Sequence, residues 1–184
     1  MWVLLILVAV VLFWVIAAYN GLISLKNQTV NAFKQIDVQL KRRHDLIPNL
    51  VNSVKGAMDF EKSTLEAVIQ ARNQAMKAEG VKQISQAENA LSGALSRLLV
   101  TVERYPQLKA TGNIAQLQEE LTSTENRIAF ARQLYNDTAT QYNTKQQQFP
   151  TTLVAGLAHA ERADLWEVED QAERAVPQVD LSRR

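Results

Sequence analysis

The chain opens on nineteen residues, MWVLLILVAVVLFWVIAAY, that carry no charge, no proline and no glycine, and this run limits what the chain can become more than anything after it. A hydrocarbon core of ~30 Å takes roughly 20 apolar residues in a helix, and Trp2 to Tyr19, continued by Leu22, Ile23 and Leu25, has that length. Trp2 and Tyr19 are placed to act as interfacial aromatics, Trp14 lies deeper, and Leu5, Val8, Leu12 and Ile16 fill the lipid-facing body. A cleavable leader would begin with a basic region and end in small residues. Here no Lys or Arg precedes Lys26, and Ile16-Ala17-Ala18 is a poor cleavage site. Residues 1–25 therefore read as an uncleaved, single-pass membrane anchor. Lys26, Lys34, Lys41, Arg42 and Arg43 all follow the span, so the positive-inside rule expects the N-terminus outside and the remainder in the cytoplasm.

What remains is enough chain for one domain. Twenty Lys and Arg against nineteen Asp and Glu leave a net charge of +1, which gives no general pull toward nucleic acid, and none is expected as a partner. Cysteine is absent, which removes disulfides, thiolate metal sites and thiol nucleophiles together. The two histidines, His44 and His159, lie in different segments without metal-ligand spacing, so no metal and no cofactor are expected.

Glycine and proline are sparse after the anchor, and the apolar residues recur at helical spacing. The first run reads Val30, Phe33, Asp37, Leu40, His44, Ile47, Val51, Val54, Met58 in three-four steps, a coiled-coil seam with two polar positions. Because the apolar span runs toward this seam with hardly a polar break, anchor and first bundle helix are expected to form one rod. Pro48 should disturb it, either by a kink or by a restart capped by Asp45, and the arm is expected to resume through Leu65, Ile69 and Met76. A second helix is predicted over about Lys82 to Arg104, with Ile84, Ala87, Leu91, Ala94, Leu95, Leu98 and Val102 on one face. A third begins near Asn113 and carries Ile114, Leu117, Leu121, Ile128, Tyr135 and Tyr142.

The fold class is all-α: a transmembrane helix, then a long antiparallel helical bundle with coiled-coil-like packing over residues 26–150. Beyond Phe149-Pro150, residues 151–184 read as an apolar patch from Leu153 to Leu157 and a short amphipathic helix with Leu165, Trp166, Val168, Ala172 and Val176 on its apolar face. That helix would dock on its own bundle, a neighbouring subunit or the membrane surface, and its carboxylates argue against anionic lipid.

The densest polar cluster is IDVQLKRRHDLIPNL. Asp37, Lys41, Arg42, Arg43, His44 and Asp45 read either as turn-spaced ion pairs of ~0.3–0.5 kcal/mol each or as a subunit or partner contact face, with Leu165 and Trp166 as a second contact. Asp37 and His44, as polar positions in a seam, would fix register and oligomer state. No nucleophile and base come together, and the acids at Glu119-Glu120 and Glu167 to Asp170 point apart, so no catalytic site is expected. Tyr135-Asn136 and Tyr142-Asn143 repeat a heptad apart. Amphipathic packing explains them; a hydrogen-bonded ladder between helices or subunits is the sharper alternative.

The stretch YNGLISLKNQTVNAFKQIDVQLKRRHDLIPNLVNSVKG, with ERYPQLKA, RQLYNDTATQYN, Phe149-Pro150 and the closing PQVDL, closely resembles the LemA proteins. The departure lies at Ala155 to Trp166, AGLAHAERADLW, where relatives commonly carry an aromatic AGLFGF-like patch. The resemblance implies a bacterial inner-membrane protein with one N-terminal span, an outward N-terminus and a long helical bundle. It carries over no catalytic residue, because the family has none established, and the family's gene neighbourhoods imply a part in envelope maintenance. The expected function is a non-enzymatic, homo-oligomeric scaffold that organises or shapes the membrane, with lipid and a second copy as partners. The alternative is an adaptor that presents the Lys41 to Asn49 face to another membrane protein such as an envelope protease.

Overall fold

A computed structural model describes residues 1–55, 62–105 and 112–167, and the elements among them are all helices. They are α1 (Trp2–Lys55), α2 (Lys62–Ala75), α3 (Gly80–Val102), α4 (Gly112–Gln147) and α5 (Thr151–Leu157). Anchor and first bundle helix are one unbroken α1 of 54 residues, about 80 Å long at ~1.5 Å per residue. The lower part of α1 is long and apolar enough to cross a membrane, and none of its apolar window is buried by the rest of the chain. From Leu22 upward, one face of α1 is covered.

Helix α4 runs antiparallel to α1, packing Ile128, Ala131, Tyr135 and Ala139 against Ala32, Ile36 and Leu40. In the upper half α2 and α3 join them, and Ile47, Leu50 and Val54 meet Leu65, Val68, Leu91, Leu98, Val102 and Leu121 in the largest core. At the base, Leu22 packs with Tyr142 and Ala155 of α5. The bundle is thus four helices wide at the top and narrows toward the apolar, N-terminal part of α1. Gly80 makes the reversal between α2 and α3 with φ +74°, a backbone angle that a side chain disfavours.

The buried stripe of α1 is Thr29, Ala32, Ile36, Leu40, Arg43, Ile47, Leu50 and Val54, flanked by His44 and Val51. It is rotated by about one residue from the expected seam: Val30 and Asp37 are exposed, while Ala32 and Arg43 lie inside. A seam read from large apolar side chains passes over a small alanine and a paired arginine, and both are core positions here. Met58 lies outside the described residues.

Pro48 does not break α1, and Asp45 caps no restart. Proline has no N–H, so the carbonyl four residues earlier, on His44, loses its helical donor. Arg72 of α2 replaces that donor, with Nε 2.7 Å from the His44 carbonyl oxygen. The arm expected to continue to Met76 therefore ends: α2 turns back along α1, and the proline marks where it docks. The expected C-terminal helix is also absent where the chain is described. Residues 160–167 are non-helical, Leu165 and Trp166 among them, and Val168, Ala172 and Val176 lie outside the described residues.

Replacing Arg72 with Met should destabilise the fold by ~1–3 kcal/mol, the cost of stranding a buried acceptor. In a Pro48→Ala background position 48 supplies its own N–H, and the same replacement should cost less. A double-mutant cycle in chemical unfolding measures the difference, and equal losses in both backgrounds would refute the cap.

Candidate functional site

Two neighbouring residues of α1 hold the bundle's buried charge. Arg43 from α1 and Glu88 from α3 are both fully buried. The guanidinium pairs with the Glu88 carboxylate through Nη2, which also donates to the Glu88 backbone carbonyl at 3.2 Å. Its Nη1 donates to Ser92 Oγ at 3.0 Å and to Glu125 Oε2 of α4 at 2.5 Å. His44 Nε2 stands 2.7 Å from the other Glu88 oxygen. An ionised carboxylate only accepts, so Nε2 carries the proton and donates. Burial works to raise the Glu88 pKa, but the His44 hydrogen bond and the Arg43 and His44 charges outweigh it and hold the carboxyl below its ordinary value.

The charged run therefore divides by helical phase. Arg43 and His44 face inward, the two terminal guanidinium nitrogens bonded to α3 and α4 and His44 Nε2 to α3, whereas Asp37, Lys41, Arg42 and Asp45 are exposed. Arg42 reaches Glu120 at 3.8 Å across a half-exposed surface, a contact worth at most about 1 kcal/mol. Glu88 was hidden in the sequence, although it falls inside the α3 stripe between Ile84 and Leu91. A carboxylate on an apolar stripe is the signal that could have found it.

The second constellation is built on the two asparagines of α4. Asn143 pairs with the backbone of Ala163, donating from Nδ2 to its carbonyl and accepting its N–H, both at 2.8 Å. Asn136 does the same for Trp166, at 3.1 and 2.8 Å. Seven residues of helix advance about 10.5 Å, and three residues of extended chain advance about 10 Å, so a heptad on α4 matches the step from 163 to 166. Residues 161–167 thus form an extended strap running antiparallel to α4. The Tyr135 hydroxyl donates to the Asp164 carbonyl at 2.6 Å, Gln146 holds the Glu161 carbonyl at 3.3 Å, and Ser85 of α3 reaches the Glu167 carbonyl at 2.5 Å. Burial raises the pKa of Tyr135 and of Tyr142, with the nearby Asp164 and Glu161 carboxylates adding to it.

Trp166 anchors the strap. It is buried against Ala32, Ile36 and Tyr135, with the Arg132 guanidinium 4.9 Å from its ring centroid, while Leu165 stays exposed. Tyr135, Asn136 and Asn143 of the repeat accordingly form a hydrogen-bonded ladder, not between helices or subunits as expected but to the non-helical backbone of the same chain. Along the anchor, Trp2, Leu5, Val8, Leu12, Ile16 and Tyr19 are exposed and Trp14 is partly covered. Among the described residues no three His, Cys, Asp or Glu come together to hold a metal ion.

The LemA family model matches residues 32–181. The chain is 28% identical over 166 residues to the protein LemA of Metamycoplasma hominis, covering 88% of this chain and 72% of that protein. It is 24% identical over 175 residues to magnetosome protein MamQ 2 of Paramagnetospirillum magneticum, with 81% of this chain and 64% of that protein covered. MamQ of Magnetospirillum gryphiswaldense is similar at 24% over 172 residues, 79% of this chain and 63% of that protein. The chain thus spans a little under two thirds of the MamQ proteins' length.

Glu88 contributes stability that is fully present above the ordinary glutamate pKa of 4.5 and is lost as pH falls through its depressed native value. Replacing it with Gln breaks a buried pair and should cost ~3–5 kcal/mol at neutral pH. The gap to the unsubstituted protein should narrow only on the acid side of 4.5, as unfolding curves across pH would record. The strap gives a separate readout. Asn136→Leu with Asn143→Leu removes four hydrogen bonds of ~0.5–1.5 kcal/mol each, partly offset by apolar burial, and should speed tryptic cleavage after Arg162 while the helices stay intact by circular dichroism. Unchanged cleavage would mean the asparagines do not hold the strap.

Proposed function

This chain belongs to the LemA family, and on that premise we propose that it is a non-catalytic, membrane-anchored scaffold whose bundles self-associate to organise or shape the membrane. The observation that carries this reading is an apolar strip on the outer flank of α1 and α4. Val38, Phe130 and Leu134 are exposed there side by side, bordered by Lys34 and Arg127. A strip of this kind on a two-helix face suits another protein surface. Its occupant is a second copy of the chain. Tethering places every copy in one plane and one orientation, so the strip on one bundle stands at the same height above the bilayer as the strip on the next. Contact between copies then needs only lateral approach, at the high effective concentration that a shared membrane provides.

The unbroken α1 converts that contact into membrane organisation. Since span and bundle share one helix, the spacing and tilt adopted by touching bundles are passed to the spans below. The excess of lysine and arginine after the span favours a cytoplasmic bundle and an outward N-terminus at the bacterial inner membrane. Three relatives carry the name of magnetosome proteins.

Full-length protein in mild detergent should scatter light as a defined multiple of the 20.7 kDa chain. Val38→Asp with Phe130→Asp should shift it toward a single chain, with a change in stability of no more than about 0.5 kcal/mol per site because both positions are exposed. A monodisperse single chain before any substitution would refute self-association. Crosslinks from position 130 in cells that recover only a heterologous membrane protein would replace the scaffold with an adaptor.

A further inference from the structure

We propose that the base of the bundle is a second membrane contact: Phe149, Leu153 and Leu157 insert into the acyl-headgroup boundary of the bilayer that α1 spans. The proposal rests on α1 being a membrane span. These side chains are among the most exposed large apolar groups outside the anchor, at 81%, 63% and 78%. Leu153 and Leu157 lie one turn apart on α5, opposite the face formed by Thr151, Val154 and Ala155, which is buried on the bundle. Phe149 lies in the turn two residues before α5 and is itself exposed beside this face.

Their height fixes the occupant. A ~30 Å hydrocarbon core takes roughly 20 helical residues, so a span that opens at Trp2 is complete near Gly21. Leu22 therefore stands at the boundary, and Leu22 is the residue against which Ala155 of α5 packs. Around Leu22 the same cluster takes in Tyr142 of α4, with Leu25, Ala158 and Ala160 packed against it. The base of the bundle thus reaches down to the level of the lipid. An apolar face held at that level meets the interface by geometry alone, as interfacial helices do when they sink about 5–10 Å into the headgroup region. Nothing in this face selects anionic lipid, because the contact is made by apolar side chains.

The contact would give the protein two points of attachment, one through the bilayer and one beside it. It would fix the rotation of α1 about its own axis, which a single cylindrical span leaves free. The strap begins just after this foot, at residues 160–161, so the chain passes from lipid contact directly into the groove held by Asn143 and Asn136.

The chain has no cysteine, so single nitroxide labels can be placed without background. Phe149→Cys, Leu153→Cys and Leu157→Cys, each labelled in the full-length protein with one chain per phosphatidylcholine nanodisc, should show more collisions with oxygen and fewer with a water-soluble nickel chelate. Their oxygen-to-nickel ratio should be several-fold above that of Ser96→Cys at the far end of the bundle. A Leu5→Cys label reads the span itself. Water-like ratios at 149, 153 and 157 with a lipid-like ratio at Leu5 would overturn the foot and leave the anchor standing. Low collisions with both reagents would overturn it in favour of burial by protein. A water-like Leu5 label would overturn anchor and foot together. Because each disc holds one chain, self-association can fail or succeed without affecting the result.

Discussion

An arginine with no exposure to water must have its charge matched where it stands, and Arg43 is matched by residues of two other helices at once. Taking both ions of the Arg43–Glu88 pair out of water costs several kcal/mol each. Only the register in which Glu88, Ser92 and Glu125 converge on one guanidinium recovers it. A slip of either α3 or α4 by one residue would rotate its carboxylate by about 100° and strand the charge. Apolar stripes alone tolerate such slips, because leucines and alanines pack in several registers. Arg43 does not.

The next residue ties in the remaining helix. His44 gives its side chain to Glu88 of α3 and its backbone carbonyl, freed by Pro48, to Arg72 of α2. Two consecutive positions on α1 thus fix all four bundle helices. A proline inside a helix ordinarily reads as damage of ~3 kcal/mol, and here the vacancy it opens is the socket into which α2 plugs. The polar cluster and the proline, which look like two separate irregularities in the sequence, are one joint.

The apolar opening run and the helical class were legible because they are averages. Nineteen uncharged residues make the start of α1 apolar whatever any one of them is, and the three-four spacing of Leu91, Leu95, Leu98 and Val102 survives any single misjudged position. The joint was not legible, because it depends on pairs separated by 45 and 82 residues, Arg43 with Glu88 and with Glu125. A charged residue beside two others is assigned to the surface by its chemistry, and only a partner brought in by the fold can reverse that. The strap failed for a different reason. ERADLWEV has helical spacing and helical composition, but Asn136 and Asn143 supply its backbone with the hydrogen bonds that a helix would otherwise provide. Local propensity lost to side chains that compete for the same backbone groups.

The strap also resolves a difficulty of shape. Four helices enclose a core at the top of the bundle, whereas the lower cluster around Ala32, Ile36 and Tyr135 lies between α1 and α4 with Val81 and Ile84 from the start of α3 against it. Trp166 completes the cover, as the largest side chain in that cluster. An extended segment advances more than twice as far per residue as a helix, so a few residues suffice to close the lower core where a further helix would need a full connection and a second apolar face. The narrow base is thereby kept slender enough to stand directly over the single apolar segment of α1 while remaining packed. That slenderness is what lets the apolar segment and the core segment share one helix without a joint between them, so that the charge-matched register set at Arg43 extends, through the continuous α1, to the orientation of the apolar segment.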